Sequence, residues 1–405
     1  MNIAIIVRKL NVRGGVQRHV VCLAREFAKK GHTVTLYTFL YDKEKCYAEL
    51  LEGCRVVSLG RYSAHANFLF DILAQNRAAK RLALKMDAHT DIVNPHDHVC
   101  YKVAVYFKKY VKDAPSVWTM HDMPTRLFSY ARARELDPLF RKSLAVRLAY
   151  ALADWYERRF IRLQDAIAVL DRRDKALARR FFGRDALIVR NGLDIAKFPY
   201  RARVSLLPKQ AKLLMGGVFF AHRRFEDGIE ALKLLRDRGY DATLMITGNY
   251  AADEGYYRRL AALADARGIR TQVVFTGELP ESRLAEAYQA CDIFLFPNHL
   301  QSWGLAVFEA SASGVPVIVS RSAGASEVLT DGATALLVHP KSPEEIARAA
   351  ARLIDDPIVY EKLSREGRAL VEREISWSRL ADQMDGIFRA VSARRSVKSA
   401  ETIVL

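Results

Sequence analysis

The sequence has 405 residues, half of them apolar and one in ten aromatic, which is too long for one hydrophobic core and excludes a disordered or fibrous chain. Lys and Arg number 63 against 46 Asp and Glu, for a formal net charge of +17. Residues 1–200 carry most of this excess, with 36 basic and 20 acidic residues. Such a field attracts polyanions, so nucleic acid, an anionic membrane surface and a phosphorylated substrate are all candidate partners.

The five cysteines contain no CxxC pair, which argues against a disulfide framework or a zinc site and favours a reducing cytosol. The apolar run at residues 3–7 is too short for the core of a signal peptide and predicts a first strand. An uncharged apolar stretch of about 18 residues is missing from the sequence, so no membrane-spanning helix is expected.

The N-terminal half alternates strand-like and helix-like patterns, which is typical of α/β folds. After the strand at 3–7, apolar residues recur at helical spacing up to Phe27, and Gly31 is a candidate C-cap. The later predicted strands of this parallel sheet are 33–40, 91–94, 116–119, 166–170 and 187–189.

An Arg-rich stretch at residues 132–162 predicts a long helix, with Leu144, Leu148, Leu152 and Trp155 among its apolar residues. The favoured interpretation is an amphipathic helix whose apolar side chains face the core. The alternative is a role at a membrane surface.

A second α/β series follows a connection at residues 195–209 that contains Pro199 and Pro208. We therefore predict an N-terminal Rossmann-like domain at 1–198 and a second one at 199–375. The last segment, 376–405, is expected to be a helix that returns to the first domain and frays at its end. The predicted strands of the second domain are 213–217, 242–248, 272–277, 293–296 and 315–320, and its predicted helices are 225–238, 255–267, 282–291, 305–313 and 343–355.

The loop at residues 11–15 joins the first strand to its helix, so backbone amides at Gly14 and Gly15 would face a ligand at the carboxyl edge of the sheet. It reads NVRGG rather than the GxGxxG fingerprint, so a dinucleotide cofactor is not expected. A simple tight turn is an open alternative.

In the second domain, Gly216 and Gly217 end a strand, and His222, Arg223 and Arg224 precede a helix. Arginines at the end of a parallel strand suit a diphosphate, because the guanidinium makes paired charged hydrogen bonds to phosphate oxygens. A solvated basic turn is the alternative.

The segment 298–320, NHLQSWGLAVFEASASGVPVIVS, places a loop and Gly304 before a short helix and another strand. Amides of residues 303–306 would point at a phosphate. Glu309 lies further into the helix and is a candidate acceptor for ribose hydroxyls, unless it is simply a buried glutamate with an internal partner.

Four passages of the chain, taken together, resemble the retaining glycosyltransferases of family GT4. They are GGVQRHVVCLAREFAKKGHTVTLYT (14–38), VRNGLDIAKF (189–198), QSWGLAVFEASASGVPVIVS (301–320) and AGASEVLTDGATALLVHPKSPEEIARA (323–349). The first is similar to lipopolysaccharide-core glycosyltransferases in particular. The resemblance implies the GT-B fold, in which two Rossmann-like domains face each other across a cleft.

The resemblance also implies a donor site for a nucleotide sugar. The family signature has two glutamates: Glu309 matches the one that holds the ribose, but Gln301 stands where the other holds the donor sugar. The family's phosphate-binding Arg and Lys correspond to Val218 and Arg224 here, so His222, Arg223 and Arg224 are expected to hold the diphosphate.

Further donor contacts follow from the same matching passages. The backbone amide of Gly15 and the loop at Gly217 are expected to contact the donor, together with Ser302, Trp303, Gly304 and Leu305. His121 matches a family histidine near the reacting sugar, with a histidine satisfied inside the first domain as its alternative. Glu327 either helps to organise the diphosphate site or caps a helix.

The implied activity is transfer of a sugar to a glycan or glycolipid acceptor, with or without a phosphate group, in cell-envelope polysaccharide or lipopolysaccharide synthesis. His121, Arg223, Arg224 and Gln301 are the expected catalytic residues, and neither a metal nor another cofactor is expected. Nucleic acid is not an expected partner, because no helix-turn-helix or RNP-like motif is present.

The expected location is cytoplasmic, with the basic first domain on the anionic inner face of the membrane. Two alternatives to a transferase stay open: a sugar-nucleotide epimerase or phosphorylase of the same fold, and a catalytically weak donor-binding partner protein.

Overall fold

The computed structural model describes residues 1–60, 68–136, 140–300 and 303–403. The chain divides into two compact units. The first comprises Met1–Gly192 together with the chain from Trp377 onward, and the second is Leu193–Ser376. The chain passes into the second unit before the predicted 198/199 boundary because the Leu193 amide donates to the Ile375 carbonyl (3.2 Å) and Lys197 pairs with Glu281 (3.0 Å).

The first unit is built on parallel strands that form a sheet in the order β3-β2-β1-β4 and a second set in the order β5-β6-β7. Parallel bridges from Val93 to Ser116 and from His96 to Thr119 connect β4 to β5. The strands are β1 Asn2–Leu10, β2 Thr33–Tyr41, β3 Arg55–Ser58, β4 Ile92–Pro95, β5 Val117–Met120, β6 Ala166–Val169 and β7 Leu187–Ile188.

Helices connect these strands and cover the sheet. They are α1 Gly15–Lys29, α2 Phe68–Ala83, α3 Cys100–Tyr110, α4 Arg126–Leu136, α5 Leu144–Arg162, α6 Arg172–Phe182 and, from the end of the chain, α13 Trp377–Ile403. The central strands are buried along nearly their whole length, as expected of a parallel sheet covered on both faces. The five cysteines are free thiols.

Helix α13 belongs to the hydrophobic core of the first unit. Trp377, Leu380, Met384 and Phe388 are buried in one cluster with residues of β1 and α1, and the Phe388 ring lies 5.4 Å from that of Phe27. Helix α13 therefore packs into the same core as β1 and α1.

The stretch at 132–162 differs from the predicted single core-facing helix. Helix α4 ends at Leu136, residues 140–143 are not helical, and α5 begins at Leu144 with Ser143 as its N-cap. The core-facing interpretation is wrong for the apolar residues of α5. Its buried face consists of Ala153, Asp154, Glu157 and Ile161, and the opposite face exposes Leu144, Leu148, Leu152 and Trp155.

The second unit has one parallel sheet in the order β10-β9-β8-β11-β12-β13. Its strands are β8 Gln210–Gly216, β9 Asp241–Thr247, β10 Val273–Gly277, β11 Ile293–Phe296, β12 Val317–Ser320 and β13 Leu336–Val338. Its helices are α7 Phe225–Asp237, α8 Glu254–Ala266, α9 Glu281–Ala290, α10 Leu305–Ala312, α11 Pro343–Asp355 and α12 Pro357–Glu374. The predicted strands and helices of this unit are confirmed to within a few residues, and with them the α/β fold class of two Rossmann-like units.

Among the described residues, helices that combine the length and the apolar character needed to cross a bilayer are absent.

Replacing Phe388 with alanine should destabilise the first unit by about 3–5 kcal/mol, because the change opens a cavity in a core that α13 closes. Urea unfolding measures the loss, and Arg394→Ala on the exposed part of the same helix is the control. Equal stability of Phe388→Ala and Arg394→Ala would show that α13 is not part of this core.

Candidate functional site

Polar side chains of the first unit gather where its parallel strands end. Helix α1 begins at Gly15, whose Cα faces open space, and Gly14 is its N-cap. His96 follows β4 and His121 follows β5, so both lie at the carboxyl edge of the sheet. Ligands of α/β proteins bind at this edge.

His19, His96 and His121 form a buried cluster in the first unit. Their ring centroids lie 4.7–5.3 Å apart. The cluster therefore adds His19 and His96 to the predicted His121.

A chain of hydrogen bonds fixes the tautomers of this cluster. The Asn94 amide nitrogen donates to the Val117 carbonyl (2.6 Å), so its oxygen faces His96 and accepts from His96 Nε2 (2.7 Å). His96 Nδ1 is then the accepting nitrogen, and His121 Nε2 donates to it at 3.1 Å. His19 Nδ1 is hydrogen-bonded to Asn191 Oδ1.

Burial keeps these three rings neutral near pH 7. It lowers the pKa of His121 to about 4 and holds the pKa values of His19 and His96 well below their ordinary range. One nitrogen from each ring lies within 4.8 Å of the others, a spacing that a cation could use, although the His96–His121 hydrogen bond already occupies two nitrogens.

In the second unit, the loop after β8 and the loop after β11 meet. The His299 amide donates to the His222 carbonyl (2.8 Å). With its amide oxygen facing Arg223, Asn298 accepts from Arg223 Nη1 (2.9 Å) and donates to the Arg223 carbonyl (3.2 Å). The predicted phosphate-binding loop is thereby joined to the loop that leads to α10.

Gly217 is required by this packing. Its φ of 143° suits glycine, and a Cβ there would lie 3.1 Å from the Arg223 guanidinium. The backbone of Gly217 and the side chain of Arg223 are in direct contact as a result.

Arg224 has a different environment from the one predicted. It donates to both oxygens of Asp227 (2.9 and 2.5 Å), and its Nη1 lies 2.7 Å from Glu226. Burial opposes its charge, but these carboxylates raise the pKa of Arg224. Arg224 is thus engaged within its own helix, and Arg223 is the arginine that lies against the loop of Asn298 and His299.

Helix α10 begins beside this junction. Gly304 is its N-cap with φ 97°, and a Cβ there would lie 2.7 Å from the Phe296 ring. Trp303 is buried and stacks on Phe308 at 4.8 Å, and Leu305 is the first helical residue. The amides of this first turn lie at the positive end of the helix.

Glu309 is buried, and its Oε2 accepts a hydrogen bond from the Tyr288 hydroxyl at 3.0 Å. A ribose bound here would share the carboxylate with Tyr288. Glu327 lies in a 3-10 turn, Gly324–Glu327, after β12. The predicted donor residues Gln301 and Ser302 lie outside the described residues.

Several site residues were missed by sequence reasoning. His96 and Asn94 lie at the end of a predicted strand, as do Asn298 and His299 in the second unit, so taking every polar residue at a strand's carboxyl end would have found them. Asn191 lies in a passage that carried the family resemblance but received no role. His19 also lies in such a passage, 14–38, and likewise received no role.

Two family models match the chain and together cover most of it. Residues 13–197 match Glycosyltransferase Family 4, and residues 198–370 match Glycosyl transferases group 1.

Two relatives align over nearly the full length of this chain. A glycogen synthase of Mycobacterium tuberculosis is 24% identical over 94% of this chain and 92% of its own. A phosphatidyl-myo-inositol mannosyltransferase of the same species is 26% identical over 94% of each chain.

Solved structures share the fold. A sucrose-phosphate synthase from Thermosynechococcus elongatus aligns with a TM-score of 0.75 at 21% identity, over 97% of this chain and 99% of its own. Anabaena HepE in complex with UDP-glucose aligns with a TM-score of 0.70 at 16% identity, over 96% of this chain and 100% of its own. WaaG, a glycosyltransferase involved in lipopolysaccharide biosynthesis, aligns with a TM-score of 0.66 at 17% identity, over 95% of this chain and 98% of its own.

The low pKa of His121 predicts a pH-dependent stability. Between pH 6.5 and about 4 the unfolded chain takes up a proton at this histidine that the folded protein does not, so the free energy of unfolding falls as the pH falls. The difference between the two pKa values corresponds to about 3 kcal/mol of unfolding free energy, which is fully present above pH 6.5 and is lost by about pH 4.

Urea titrations at pH 7 and pH 4.5 measure this loss. His121→Gln should lose less stability between the two pH values than the wild type, whereas the exposed His89→Gln should lose the same amount as the wild type. Identical losses in all three proteins would contradict a buried neutral His121.

Proposed function

This chain belongs to the glycosyltransferases, with a family 4 domain followed by a group 1 domain, and from that premise we propose that it uses a nucleoside-diphosphate sugar as donor. The acceptor is a glycan or glycolipid, and the product retains the donor's anomeric configuration. The cell-envelope polysaccharides, including lipopolysaccharide, are the proposed destination of the sugar.

The observation that carries the donor proposal is the junction of two loops in the second unit. The hydrogen bond from the His299 amide to the His222 carbonyl and the Asn298–Arg223 contact place an arginine beside the loop that leads to α10. A guanidinium and the N-terminal turn of a helix are both suited to a diphosphate. Anabaena HepE, a structural neighbour with the same fold, forms a complex with UDP-glucose.

Departure of the nucleoside diphosphate builds negative charge on its phosphates. Arg223 and the amides at the start of α10 are the proposed stabilising groups. Arg224 takes part only if the diphosphate displaces Glu226 or Asp227 from it, since both carboxylates now bind its guanidinium. The leaving phosphate is the proposed base for the acceptor hydroxyl, which attacks the same face of the sugar.

We propose that no divalent cation takes part, because the arginine and the helix amides supply the positive charge that a metal ion would otherwise supply. His121 is proposed to act as a neutral hydrogen-bonding group near the reacting sugar. Gln301, in place of the family glutamate, keeps hydrogen-bonding capacity for sugar hydroxyls but brings no charge, so it is the proposed cause of any difference in donor choice.

The direct test measures release of nucleoside diphosphate from UDP-, GDP- and ADP-sugars in the presence of EDTA, with and without candidate acceptor glycans. Acceptor-dependent release is the expected result. Free epimerised sugar nucleotide would instead support an epimerase, and donor binding without turnover would support a donor-binding partner protein.

Glu309→Gln should weaken binding of the nucleotide sugar at least tenfold, because the amide keeps the volume but loses the negative charge and one acceptor oxygen, and charged acceptors make the stronger hydrogen bonds to ribose hydroxyls. Calorimetric titration measures the affinity. Glu344→Gln, an exposed glutamate of the same unit, is the control. Unchanged affinity in Glu309→Gln would remove Glu309 from the donor site.

Helix α5 supports a second part of the proposal, contact with an anionic membrane surface. Leu144, Leu148, Leu152 and Trp155 follow one another at helical spacing and are 67%, 59%, 68% and 61% exposed. An apolar strip with basic neighbours is the pattern of a helix that lies in the interface of a bilayer. Exposed basic residues next to it are Arg141, Lys142, Arg147 and Arg159. This surface supports a peripheral position on the membrane, and we propose that the protein lies on its cytoplasmic face.

Sedimentation with phosphatidylglycerol vesicles tests this surface. Leu148→Ser/Leu152→Ser should reduce vesicle binding at least tenfold, since each leucine that becomes buried in the bilayer contributes about 1.5–3 kcal/mol. Leu207→Ser, at an exposed leucine of the second unit, should bind like the wild type. Raising the salt concentration should also release the protein. Wild-type binding by the double variant would contradict this surface.

A further inference from the structure

The first unit contains a cavity of about 590 Å³ that belongs neither to the proposed donor site nor to the exposed strip on α5. Its wall includes Arg8 near the carboxyl end of β1, His98 just after β4, and Pro124 after β5. The cavity therefore opens at the edge of the sheet where α/β proteins bind ligands. Pro124 belongs to the same loop as His121, between β5 and α4.

The charge of the wall is positive. Arg8, Arg126 and Lys142 line it, and Glu157 is the carboxylate among its described lining residues. Glu157 is already neutralised, because Lys102 Nζ lies 2.6 Å from one of its oxygens and the Tyr101 hydroxyl donates to the other at 2.7 Å. An anion in the cavity would meet cations without a free carboxylate to repel it.

Two of these cations keep most of their hydrogen-bonding capacity. Arg126 Nη1 lies 3.9 Å from Asp154, a distance too long for a hydrogen bond. The Asp154 carboxylate instead accepts from the backbone amides of Arg126 (2.8 Å) and Leu127 (3.0 Å) at the start of α4. Lys142 lies over the Phe140 ring at 5.2 Å and makes no ion pair with a carboxylate in the described part of the chain.

Aromatic side chains form much of the remaining wall. Tyr130, Phe140 and Tyr150 line the cavity, and the rings of Tyr130 and Phe140 lie 6.1 Å apart. Aromatic faces pack well against the C–H faces of a sugar ring, while the phenol hydroxyls provide hydrogen bonds. The combination of cations and aromatic rings suits a sugar that carries an anionic group.

The backbone beside the cavity is strained. Asp97 and Val99 have φ angles of 66° and 72°, and a positive φ is a true outlier for a β-branched residue such as Val99. The Trp118 indole donates to the Asp97 carbonyl at 3.3 Å, and Arg8 lies 3.6 Å from the Asp97 carboxylate. Strain that the surroundings hold in place is found mostly at ligand sites.

We propose that this cavity binds a phosphoryl group of the acceptor and the sugar next to it, with Arg126 and Lys142 holding the phosphoryl oxygens. The proposal rests on the proposed function and names its acceptor class: a phosphorylated glycan or the glycan head of a phospholipid. The neighbouring tyrosines hold the sugar ring close to the loop of His121.

The experiment compares binding of glucose 6-phosphate, glucose and dihexanoylphosphatidylinositol, a soluble phospholipid with a polyol ring next to its phosphoryl group, to the full chain. Wild type should bind at least one phosphorylated probe about tenfold more tightly than glucose. Arg126→Gln/Lys142→Gln should lose that advantage, as expected for loss of charged hydrogen bonds. Lys43→Gln/Arg55→Gln, which removes the same charge from exposed positions of the same unit, should keep it.

The two probes distinguish the source of the phosphoryl group. Loss confined to glucose 6-phosphate assigns it to the glycan, and loss confined to the phospholipid assigns it to the lipid. Equal affinities of wild type and the Arg126/Lys142 variant for every probe, or an equal loss in the control, would overturn the proposal.

Titration with nucleotide sugars on the same samples separates this proposal from the proposed function. The Arg126/Lys142 variant should bind a donor as the wild type does. If no nucleotide sugar binds to the wild type while the phosphate probes behave as expected, the donor proposal fails and the phosphate site stands.

Discussion

The candidate donor site depends on one contact, the junction between the loop after β8 and the loop after β11 in the second unit. The His299 amide and the Asn298 side chain hold His222 and Arg223 in place, and Gly217 and Gly304 remove the side chains that would obstruct this packing. Neighbouring parallel strands β8 and β11 make the meeting possible, because their carboxyl ends lie side by side. A diphosphate at this junction would meet a guanidinium and the start of a helix together.

In the first unit, too, the carboxyl ends of neighbouring parallel strands bring the polar residues together, but the residues are of a different kind. There the strand ends bring together neutral, buried histidines, in place of arginines, and the Asn94–His96–His121 hydrogen bonds set which nitrogen of His121 carries its proton. Beyond them lies a cavity whose positive wall suits an anionic acceptor. Part of the basic charge of residues 1–200 lies in two places: in the wall of this cavity, and beside the exposed strip on α5.

Much of the fold could be predicted from sequence, because periodicity reports burial and the buried parts of β1, β8 and β11, at residues 3–7, 213–215 and 293–296, are continuous apolar runs. The failure at residues 132–162 has a physical reason: a helical period shows that one face is apolar, but not whether that face meets the core, and Leu144, Leu148, Leu152 and Trp155 meet solvent. The matched passages named candidate site residues, but the hydrogen-bonding partners of these residues were not visible in the sequence. The engagement of Arg224 by Glu226 and Asp227 is local in sequence, whereas the Asn298–Arg223 and His96–His121 pairs depend on strand order.

The most direct test of the donor site is a crystal structure of the protein with a bound nucleoside diphosphate. We expect the diphosphate to lie within hydrogen-bonding distance of Arg223 and of the backbone amides at Trp303 to Leu305, with the ribose at Glu309. A diphosphate bound elsewhere, with Arg223 still packed on Gly217 and α10 untouched, would contradict it.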